Sequence, residues 1–374
     1  MSRIAVIGSG PGAMYTIKYL LKHSLSKLKT IDIRERLSAP FGLVRFGVAP
    51  DHKEVKEVAN EFTKIVSDHS SVVKLHLNRS VSGLDEFSAL QNSYDAILVA
   101  TGAQSSNRLP FSDLPGNTMS AQDFVLWYNG HPEYVGLQLP DLPRDVSIVG
   151  HGNVAFDVAR MLSKSPEELS VIDRNLVNPE ALAWLLARQG LAGPLSVSLL
   201  GRGGYLRSAF TNKEFRELTL LDNARCFVKE SELDYIPLSK LAEHTQDRAK
   251  LRGINILEKC LHAPTESRKN SVFLRFFTKP VRYVESGLEV TNRMGAIERI
   301  PGDLGIESIG FRVIGEQFGL PMDPQTGGIA NVNGRVGNNV YVAGWSKRGP
   351  RGVIAANIPC CIETAETIFR DLEK

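Results

Sequence analysis

The sequence predicts an α/β protein with two Rossmann-like dinucleotide-binding domains. Residues 8–13 and 150–155 each spell Gly-x-Gly-x-x-Ala, and each motif follows an apolar β-branched run and precedes a helical pattern. A third apolar run, 340–343, leads into a Gly/Pro-rich loop and a closing helix. We expect this C-terminal segment to close the first domain, which is then discontinuous.

The first glycine motif predicts a pyrophosphate site. Gly8 permits a tight turn, Gly10 lets backbone approach a phosphate, and Ala13 lets the helix pack closely on its strand. The free N–H groups and the positive dipole end of the helix favour an anion there. We therefore assign Gly8, Gly10, Pro11, Gly12 and Ala13 to cofactor binding.

An acidic residue at the end of the second strand is expected to accept hydrogen bonds from a ribose diol. Glu35 stands at the end of the predicted strand 29–33, which is 27 positions past Gly8. The usual spacing is about 20, and the loop 24–29 accounts for the excess. Asp32 is the competing candidate, but it lies earlier in the strand.

The segment 39–52 is rich in Gly, Pro and aromatic residues and lacks a helical period. A loop this apolar packs against something flat or buried. Asp51 is a candidate cap for a helix over 53–67, and His52 would lie at this junction between loop and helix. A surface or capping role for His52 remains an alternative.

The next strand, 94–99, runs into small residues, among them Thr101 and Gly102, which let the strand end close to a cofactor. Pro and Gly then cluster over 109–116, as in a crossover between domains. A polar, helical pattern covers 227–268, and the strand predicted at 306–310 is expected to carry the chain back into the first domain.

The second motif differs from the first in the residues that come after its partner strand. At the position equivalent to Glu35 the sequence is Gly201-Arg202-Gly203-Gly204, without a carboxylate. A cation there suits a 2′-phosphate, so the pattern favours NADP over NAD. A solvated loop arginine is the alternative. Two nucleotide sites on one chain are typical of flavin reductases that oxidise a nicotinamide.

The C-terminal segment offers a second helix N-terminus for a negatively charged group. Directed at a flavin, it would stabilise the charge that appears on reduction. Trp345 precedes this loop and has two possible roles, as a core aromatic or as a platform beside the flavin or nicotinamide ring.

Composition excludes several classes of protein. Of 374 residues, 43% are hydrophobic and 23% charged, and the net charge of +3 is too small to indicate nucleic acid or an anionic membrane as partner. No apolar run reaches transmembrane length. The four cysteines form no C-x-x-C, which favours unpaired structural thiols in a reducing compartment. No spacing predicts a metal site, and no room is left for a targeting peptide before the first strand.

These residues together resemble the adrenodoxin reductase type of ferredoxin–NADP reductase. Five blocks between Ile4 and Leu372 carry the resemblance. They are 6–15, 40–58 (PFGLVRFGVAPDHKEVKEV), 150–160 (GHGNVAFDVAR), 201–218 (GRGGYLRSAFTNKEFREL) and 344–355 (GWSKRGPRGVIA). The Trp after Gly344 is specific, because most relatives outside the family have an acidic residue there.

The resemblance implies a set of binding residues in each domain. His52 and Glu217 match positions near the flavin linked to proton handling or electron transfer, and Gly352 would lie close to the nicotinamide. NADPH in the second domain would contact Gly152, Asn153, Val154, Arg202, Arg207 and Glu214. FAD in the first would be held by Gly8, Gly10, Glu35, Leu43, Val81, Thr101, Gly102, Gly344, Trp345, Gly352, Val353 and Ile354.

The chain departs from the family pattern in four places. Pro11-Gly12-Ala13 replaces the usual Pro-Ala-Gly, and Arg351 replaces a small residue. Gly203 stands where the family has a second arginine for the 2′-phosphate, which weakens NADP preference unless Arg207 compensates. The region 235–273 is short. Its basic residues are candidates for a ferredoxin-docking surface or for a solvated helix face; they are Lys240, Arg248, Lys250 and Arg252.

We therefore expect an FAD domain over 1–104 and 307–374 and an NADP domain over 105–306. The expected activity is transfer of hydride from NADPH to FAD, followed by release of single electrons to a small adrenodoxin-like iron–sulfur protein. Alternatives are an NAD(P)H-dependent reductase of a small molecule such as a quinone, and a non-catalytic flavin-binding protein. We expect a monomer in the cytoplasm or in the matrix of a mitochondrion-derived organelle.

Overall fold

The structure is a computed structural model of the 374-residue chain. It describes residues 1–111, 117–140, 142–191, 193–233, 238–261, 270–285 and 287–373. Most of the predicted crossover, 109–116, and parts of the region 227–268 therefore lie outside the described residues.

Seventeen strands are assigned within these ranges. In chain order they are β1 (Ser2–Ile7), β2 (Leu28–Arg34), β3 (Val73–His76), β4 (Ala96–Val99), β5 (Ser105–Ser106), β6 (Thr118–Ser120), β7 (Asp145–Val149), β8 (Ser196–Leu200), β9 (Ala224–Val228), β10 (Asn270–Arg275), β11 (Lys279–Val284), β12 (Gly287–Thr291), β13 (Ile297–Pro301), β14 (Leu304–Glu307), β15 (Phe311–Arg312), β16 (Arg335–Gly337) and β17 (Val340–Val342).

The helices assigned in the same ranges are α1 (Pro11–Ser24), α2 (Leu43–Phe46), α3 (Lys53–Lys56), α4 (Val58–Asp68), α5 (Gly83–Ser93), α6 (Ala121–Tyr128), α7 (Asn153–Ser163), α8 (Pro166–Ser170), α9 (Pro179–Leu191), α10 (Asn212–Thr219), α11 (Leu238–Leu241), α12 (Arg248–Glu258), α13 (Trp345–Arg348) and α14 (Ile358–Leu372). Short 3₁₀ turns include Tyr205–Arg207 and Ile354–Asn357. None of the described helices combines the length and apolar character that a membrane crossing requires.

The chain divides into two compact units. The first comprises 1–105 and 311–374, and the second 106–310. The first unit contains a six-stranded sheet in the order β16-β17-β4-β1-β2-β3, in which every pairing is parallel except that of β16 with β17. The C-terminal strand β17 therefore completes the sheet that β1 begins, which confirms the predicted discontinuous fold.

The second unit repeats the pattern with a parallel sheet in the order β6-β14-β7-β8-β10-β9. A three-stranded antiparallel sheet, β11-β12-β13, accompanies it. The strand predicted at 306–310 is observed as β14, and it pairs with β6 and β7. It therefore belongs to the second unit, and the chain returns to the first unit only after Gly310.

Apolar periodicity explains the core of the first unit. Helix α1 buries Ala13, Met14 and Ile17 completely, and α14 buries Cys361 and Ile368 against the same cluster. Both helices cover one face of the sheet, as Rossmann helices do. The helix predicted over 53–67 is in fact two helices, α3 and α4.

The start of α1 and the end of β17 approach each other through glycine backbone. A Cβ added to Gly344 would lie 2.9 Å from the Cα of Gly12, and one added to Gly12 would lie 3.1 Å from the Cα of Gly344. Gly344 also has φ of +64°, a conformation that side chains disfavour. The two ends of the first unit's chain therefore approach this closely because Gly344 lacks a side chain.

We predict that Gly344→Ala destabilises the protein by roughly 1–3 kcal/mol, because it adds both a clash and backbone strain. Chemical denaturation of the variant and of wild type measures this. Gly337→Ala is the matched control, since a Cβ there meets nothing within 4 Å. Equal losses in the two variants would contradict the close approach.

Candidate functional site

The first glycine motif forms the turn from β1 into α1. Gly8 has φ of +95°, and a Cβ there would lie 2.7 Å from the carbonyl oxygen of Ala100. Gly10 is the cap residue of α1, has no side chain to satisfy the helix N–H groups, and would project a Cβ into open space. This turn therefore offers free N–H donors to an anion, which is the arrangement that a pyrophosphate requires.

Pro11, Gly12 and Ala13 have different places in this turn. Pro11 begins the helix, where its missing N–H costs nothing. Ala13 is completely buried, and Gly12 packs on residues 343–344. The last two residues of the motif thus set the distance between helix and sheet.

Glu35, the first residue after β2, is turned toward the glycine motif. Its Oε2 accepts hydrogen bonds from the Ser9 N–H (3.1 Å) and the Ser9 hydroxyl (2.6 Å), and its Oε1 accepts one from the N–H of Leu37 (3.0 Å). The competing Asp32 instead contacts His76 and Tyr94, each at 3.2 Å. The structure therefore brings Glu35, and not Asp32, to the motif.

The loop before α2 is fixed to the same motif. The N–H of Phe41 donates to the Ser9 hydroxyl (3.0 Å), which links this loop to Glu35 through one side chain. Phe41 has φ of +82°, a rare conformation for a bulky residue and a common sign of a functional constraint. Leu43, which begins α2, is thereby held close to the Gly10 turn.

His52 is buried, with 7% of its surface exposed, so the surface alternative is wrong. It is itself the residue that precedes α3, so Asp51 does not cap that helix as predicted. One turn further on, Lys56 is equally buried, and its Nζ donates to the carbonyl oxygen of Arg45 (2.6 Å). Burial, assisted by Arg45, lowers the pKa of Lys56 from 10.5 to about 7.

Sequence reasoning missed Lys56. The alternation Lys53-Glu54-Val55-Lys56 is typical of a solvated helix face, and only the tertiary fold shows that one of its lysines points inward.

The ends of the parallel strands β4 and β17 bring further predicted residues together. The hydroxyl of Ser346 accepts a hydrogen bond from the N–H of Gly102 (3.0 Å) and lies 3.4 Å from the hydroxyl oxygen of Thr101. Val81, by contrast, is a buried core residue beside Ile7 and Val99.

Trp345 begins α13, and its ring centroid lies 5.8 Å from that of Phe311. Its Nε1–H is buried without a hydrogen-bond partner among the described residues. A buried indole N–H normally has a partner, so this donor is available to a group that is not protein.

The segment before α14 is largely exposed to solvent. Gly352 is exposed, Val353 is 53% exposed, and Ile354 is half-buried at the start of a 3₁₀ turn.

The second unit contains an equivalent turn between β7 and α7. A Cβ on Gly150 would lie 2.1 Å from the carbonyl oxygen of Ser308, whereas one on Gly152 would meet nothing. The side-chain oxygen of Asn153 accepts a hydrogen bond from the N–H of Thr211 (2.9 Å), and Val154 is half-buried behind it.

After β8 the chain presents two exposed arginines, Arg202 and Arg207. Over the ranges that the structure describes, neither guanidinium has an ion-pair partner. Such cations, close to a glycine turn, suit a phosphate ligand.

Glu214 and Glu217 extend from α10 toward α7. Thr211 donates to Glu214. Glu217 lies 3.8 Å from the Nε of Arg160, whose Nη2 donates to Asp157 (2.5 Å). Burial, with the charges of Glu214 and Glu217, raises the pKa of Asp157 well above its ordinary range.

Sequence reasoning also missed Asp157 and Arg160. The signal that could have found them is the placement of two charges in the otherwise apolar helix after the second motif.

The basic residues of the region 235–273 do not share one environment. Lys240, Arg248 and Arg252 are exposed, as a solvated or docking face requires. Lys250 is half-buried, and its Nζ donates to the carbonyl oxygen (2.6 Å) and hydroxyl (2.8 Å) of Ser208. The ammonium of Lys250 is therefore bonded within the second unit, so Lys250 belongs neither to a solvated helix face nor to a docking surface.

All four cysteines are free and buried, and the Sγ of Cys361 donates to the carbonyl oxygen of Gly12 (3.4 Å). Among the described residues, no cluster of three or more His, Cys, Asp or Glu side chains could hold a metal ion.

Two glycine turns at the carboxyl ends of two parallel sheets define a two-dinucleotide oxidoreductase. Consistent with this, residues 2–184 match the family described as pyridine nucleotide-disulphide oxidoreductase. The chain belongs, more particularly, to the family of NADPH-ferredoxin and NADPH:adrenodoxin reductases, as the sequence resemblance predicted, and its class is therefore that of an oxidoreductase enzyme.

Relatives named as ferredoxin reductases and relatives named as adrenodoxin oxidoreductases both support the assignment. The NADPH-ferredoxin reductase FprA of Mycobacterium tuberculosis is 36% identical over 99% of this chain and 84% of its own length. The mitochondrial NADPH:adrenodoxin oxidoreductase of Homo sapiens is 36% identical over 99% and 79%. The solved structure of M. tuberculosis FprA in complex with NADPH superposes with a TM-score of 0.87 at 32% identity, covering 100% of this chain and 85% of that one.

We predict that Lys56→Met changes how stability depends on pH. Between pH 7 and 10.5 the unfolded chain binds a proton at Lys56 that the native chain lacks. The free energy of unfolding of wild type should therefore rise with pH relative to the variant, by about 1.4 kcal/mol per pH unit. Urea denaturation at pH 7, 8 and 9 measures it. Lys53→Met, at an exposed position one turn earlier, should show no such slope; a difference between wild type and Lys56→Met that is independent of pH would contradict the low pKa.

Proposed function

We propose that this chain binds FAD in its first unit and NADP(H) in its second, and transfers electrons from NADPH to a small ferredoxin-like iron–sulfur protein. The observation that supports this most is the difference between its two glycine turns. The first is followed by the carboxylate of Glu35, which suits a ribose diol, and the second by the exposed Arg202, which suits a 2′-phosphate. The names of the FprA and adrenodoxin reductase relatives agree with NADPH as the electron donor and with a ferredoxin-type partner.

The residues of the first unit fit FAD. Gly8 permits the tight turn, Gly10 leaves room and donors for a pyrophosphate, and the buried Nε1–H of Trp345 lacks a protein partner among the described residues. A bound flavin supplies a group that accepts a hydride and releases electrons one at a time. The remaining contacts that we assign to it come from Leu43, Thr101, Gly102, Gly344, Gly352, Val353 and Ile354, with Val81 acting from the core.

The residues of the second unit fit NADP(H). Gly152 leaves the N-terminus of α7 open to a pyrophosphate, with Asn153 and Val154 as its first helical residues. Glu214 is the proposed acceptor for the adenosine ribose, and Arg202 the proposed ligand of the 2′-phosphate.

Three side chains are proposed to take part in the reaction: Trp345 and His52 in the first unit and Glu217 in the second. Trp345 would form a wall that orients the rings and excludes water. The imidazole of His52 and the carboxylate of Glu217 would hold or accept protons. Glu217 lies 3.8 Å from Arg160, which donates to Asp157, and burial raises the pKa of Asp157; carboxylates perturbed in this way are typical of sites that handle protons.

The proposal also covers the cellular compartment and the oligomeric state of the protein. Buried free thiols and an iron–sulfur partner suit a reducing compartment, either the cytoplasm or the matrix of a mitochondrion-derived organelle. We propose a monomer, since transient electron-transfer complexes need an accessible face.

The experiment that tests the proposed function is turnover with cytochrome c as final acceptor. We expect a yellow protein that NADPH bleaches under anaerobic conditions, and cytochrome c reduction that depends on an added ferredoxin and falls with ionic strength, since charge steers the encounter. Turnover of a quinone that salt does not affect, with no gain on adding any ferredoxin, would contradict the proposed partner. Absence of bleaching would contradict catalysis altogether.

We further predict that Arg202→Ala raises KM for NADPH by about 10- to 100-fold, the equivalent of one lost charged hydrogen bond. KM for NADH should be unchanged, since NADH has no 2′-phosphate. Steady-state kinetics with both nucleotides measure this, and Arg225→Ala, an exposed arginine on β9, controls for lost charge. Equal changes for both nucleotides would contradict the role of Arg202.

A further inference from the structure

A buried histidine of the second unit has no part in the proposed chemistry. His151 stands between the two glycines of the second motif, Gly150 and Gly152, and only 9% of its surface is exposed. Its Nε2–H donates to the carbonyl oxygen of Leu199 (2.8 Å), the next-to-last residue of β8. The imidazole therefore ties the glycine turn after β7 to the end of the neighbouring strand.

Aromatic rings surround this imidazole. The ring centroids of Phe276, Phe210 and Phe156 lie 5.0, 6.1 and 6.3 Å from its own, all in edge-to-face arrangements. Burial lowers the pKa of His151 from 6.5 to about 4, although the hydrogen bond to Leu199 acts in the opposite direction. The ring is therefore neutral at physiological pH, with its proton on Nε2 and a lone pair on Nδ1.

The ring also packs on Gly201, the first residue after β8. A Cβ added to Gly201 would lie 2.5 Å from Nδ1, 2.8 Å from Cε1 and 2.9 Å from Cγ of His151, all closer than a Cβ can approach. The Nδ1 atom is buried without a hydrogen-bond partner among the described residues. This edge of the ring is thus used for contact with Gly201 backbone, and a side chain at 201 would collide with it.

The segment that follows β10 holds the same loop from a second direction. The N–H of Gly201 donates to the carbonyl oxygen of Arg275 (2.8 Å), and its own carbonyl oxygen accepts from the N–H of Thr278 (2.9 Å). The carbonyl oxygen of Gly203 accepts from the N–H of Phe277 (3.2 Å). Phe277 has φ of +51°, which a bulky residue adopts only where its surroundings impose it.

The backbone on both sides of the exposed Arg202 is thus fixed, by the imidazole at Gly201 and by the end of β10 at Gly201 and Gly203. We propose that His151 is a positioning residue that sets the spacing between two anion subsites of the second unit, the open glycine turn 150–153 and the loop 201–204. Its backbone belongs to the first subsite, and its ring packs on the second.

This inference rests on the proposed function and deepens it, because NADP(H) carries a phosphate group for each subsite. The pyrophosphate belongs to the turn and the 2′-phosphate to the loop, whereas NAD(H) has only the pyrophosphate. One ligand gains from both subsites only when their spacing matches its own. His151 would therefore contribute to the preference for NADP without contacting the 2′-phosphate.

The test compares two fragments that differ only in the 2′-phosphate. 2′,5′-ADP carries it, and 5′-AMP lacks it. Isothermal titration of each into the FAD-loaded enzyme gives their affinity ratio without turnover. We expect His151→Ala to lower this ratio by roughly 3- to 10-fold, the equivalent of one weakened hydrogen bond. His151→Gln should retain the ratio, because its amide N–H can donate to Leu199 as Nε2 does.

A double variant tests the contact between ring and loop. Gly201→Ala alone should also lower the ratio by roughly 3- to 10-fold, because its methyl group collides with the imidazole. In the His151→Ala background the colliding ring is gone, so Gly201→Ala should lower the ratio no further, whereas independent sites would give multiplied effects. Phe156→Leu, at a buried ring beside His151 on α7, is the control for lost core packing and should leave the ratio unchanged.

The outcomes separate this role from the NADP site on which it depends. An unchanged ratio in His151→Ala, or an equal fall in Phe156→Leu, would overturn the inference, while a loss in Arg202→Ala would keep the proposed NADP site. Multiplied effects in the double variant would overturn it as well. Equal affinity of the wild-type enzyme for both fragments would contradict the NADP site itself. If His151→Ala does not fold, Gly201→Ala decides, because an unchanged ratio there overturns the inference and a lowered ratio supports it.

Discussion

The first unit depends on one contact of backbone with backbone. Gly12, in the first turn of α1, meets Gly344, just past the end of β17, so closely that a Cβ on Gly344 would lie 2.9 Å from the Gly12 Cα. That contact sets α1 against the sheet, and with it the direction in which the open N–H groups of the Gly10 turn point. Ser9, Glu35 and Phe41 then attach the second strand and the following loop to the same turn. The geometry of a site that is assembled from the two ends of the chain thus depends on a residue that lacks a side chain.

Much of this could be predicted from the sequence because the constraints are local. A turn with positive φ requires glycine at Gly8, an open phosphate cradle requires it at Gly10, and a strand end next to a ribose favours a carboxylate such as Glu35. Each leaves its signature within a few residues. The two parallel sheets follow from the same periodicity, because a strand, a glycine turn and a helix repeat twice.

The features that sequence reasoning missed are those that depend on distant partners. Lys56 and Lys250 occur in runs of charge that resemble solvated helix faces, yet each donates to carbonyl oxygens of a short turn elsewhere in its unit. Four-residue helices and 3₁₀ turns leave many backbone carbonyl groups without hydrogen-bond partners. Which lysine reaches them depends on the tertiary structure, and the periodicity of the sequence does not indicate it. Strand β14, which the sequence predicts to lead the chain back, itself pairs with the distant β6 in the second unit, and the chain enters the first unit just after it, at Phe311.

The second unit is inserted between the two segments of the first unit, and this has a consequence for the order in which the protein is synthesised. Strand β17 and helix α14 complete the first unit, yet roughly 200 residues of the second unit are translated between them and β4. At ~5–20 residues per second, residues 1–105 wait ~10–40 s on the ribosome for their closing strand. The second unit, being continuous, is free to fold during that interval. The sheet of the first unit is therefore completed only after the whole second unit has been translated.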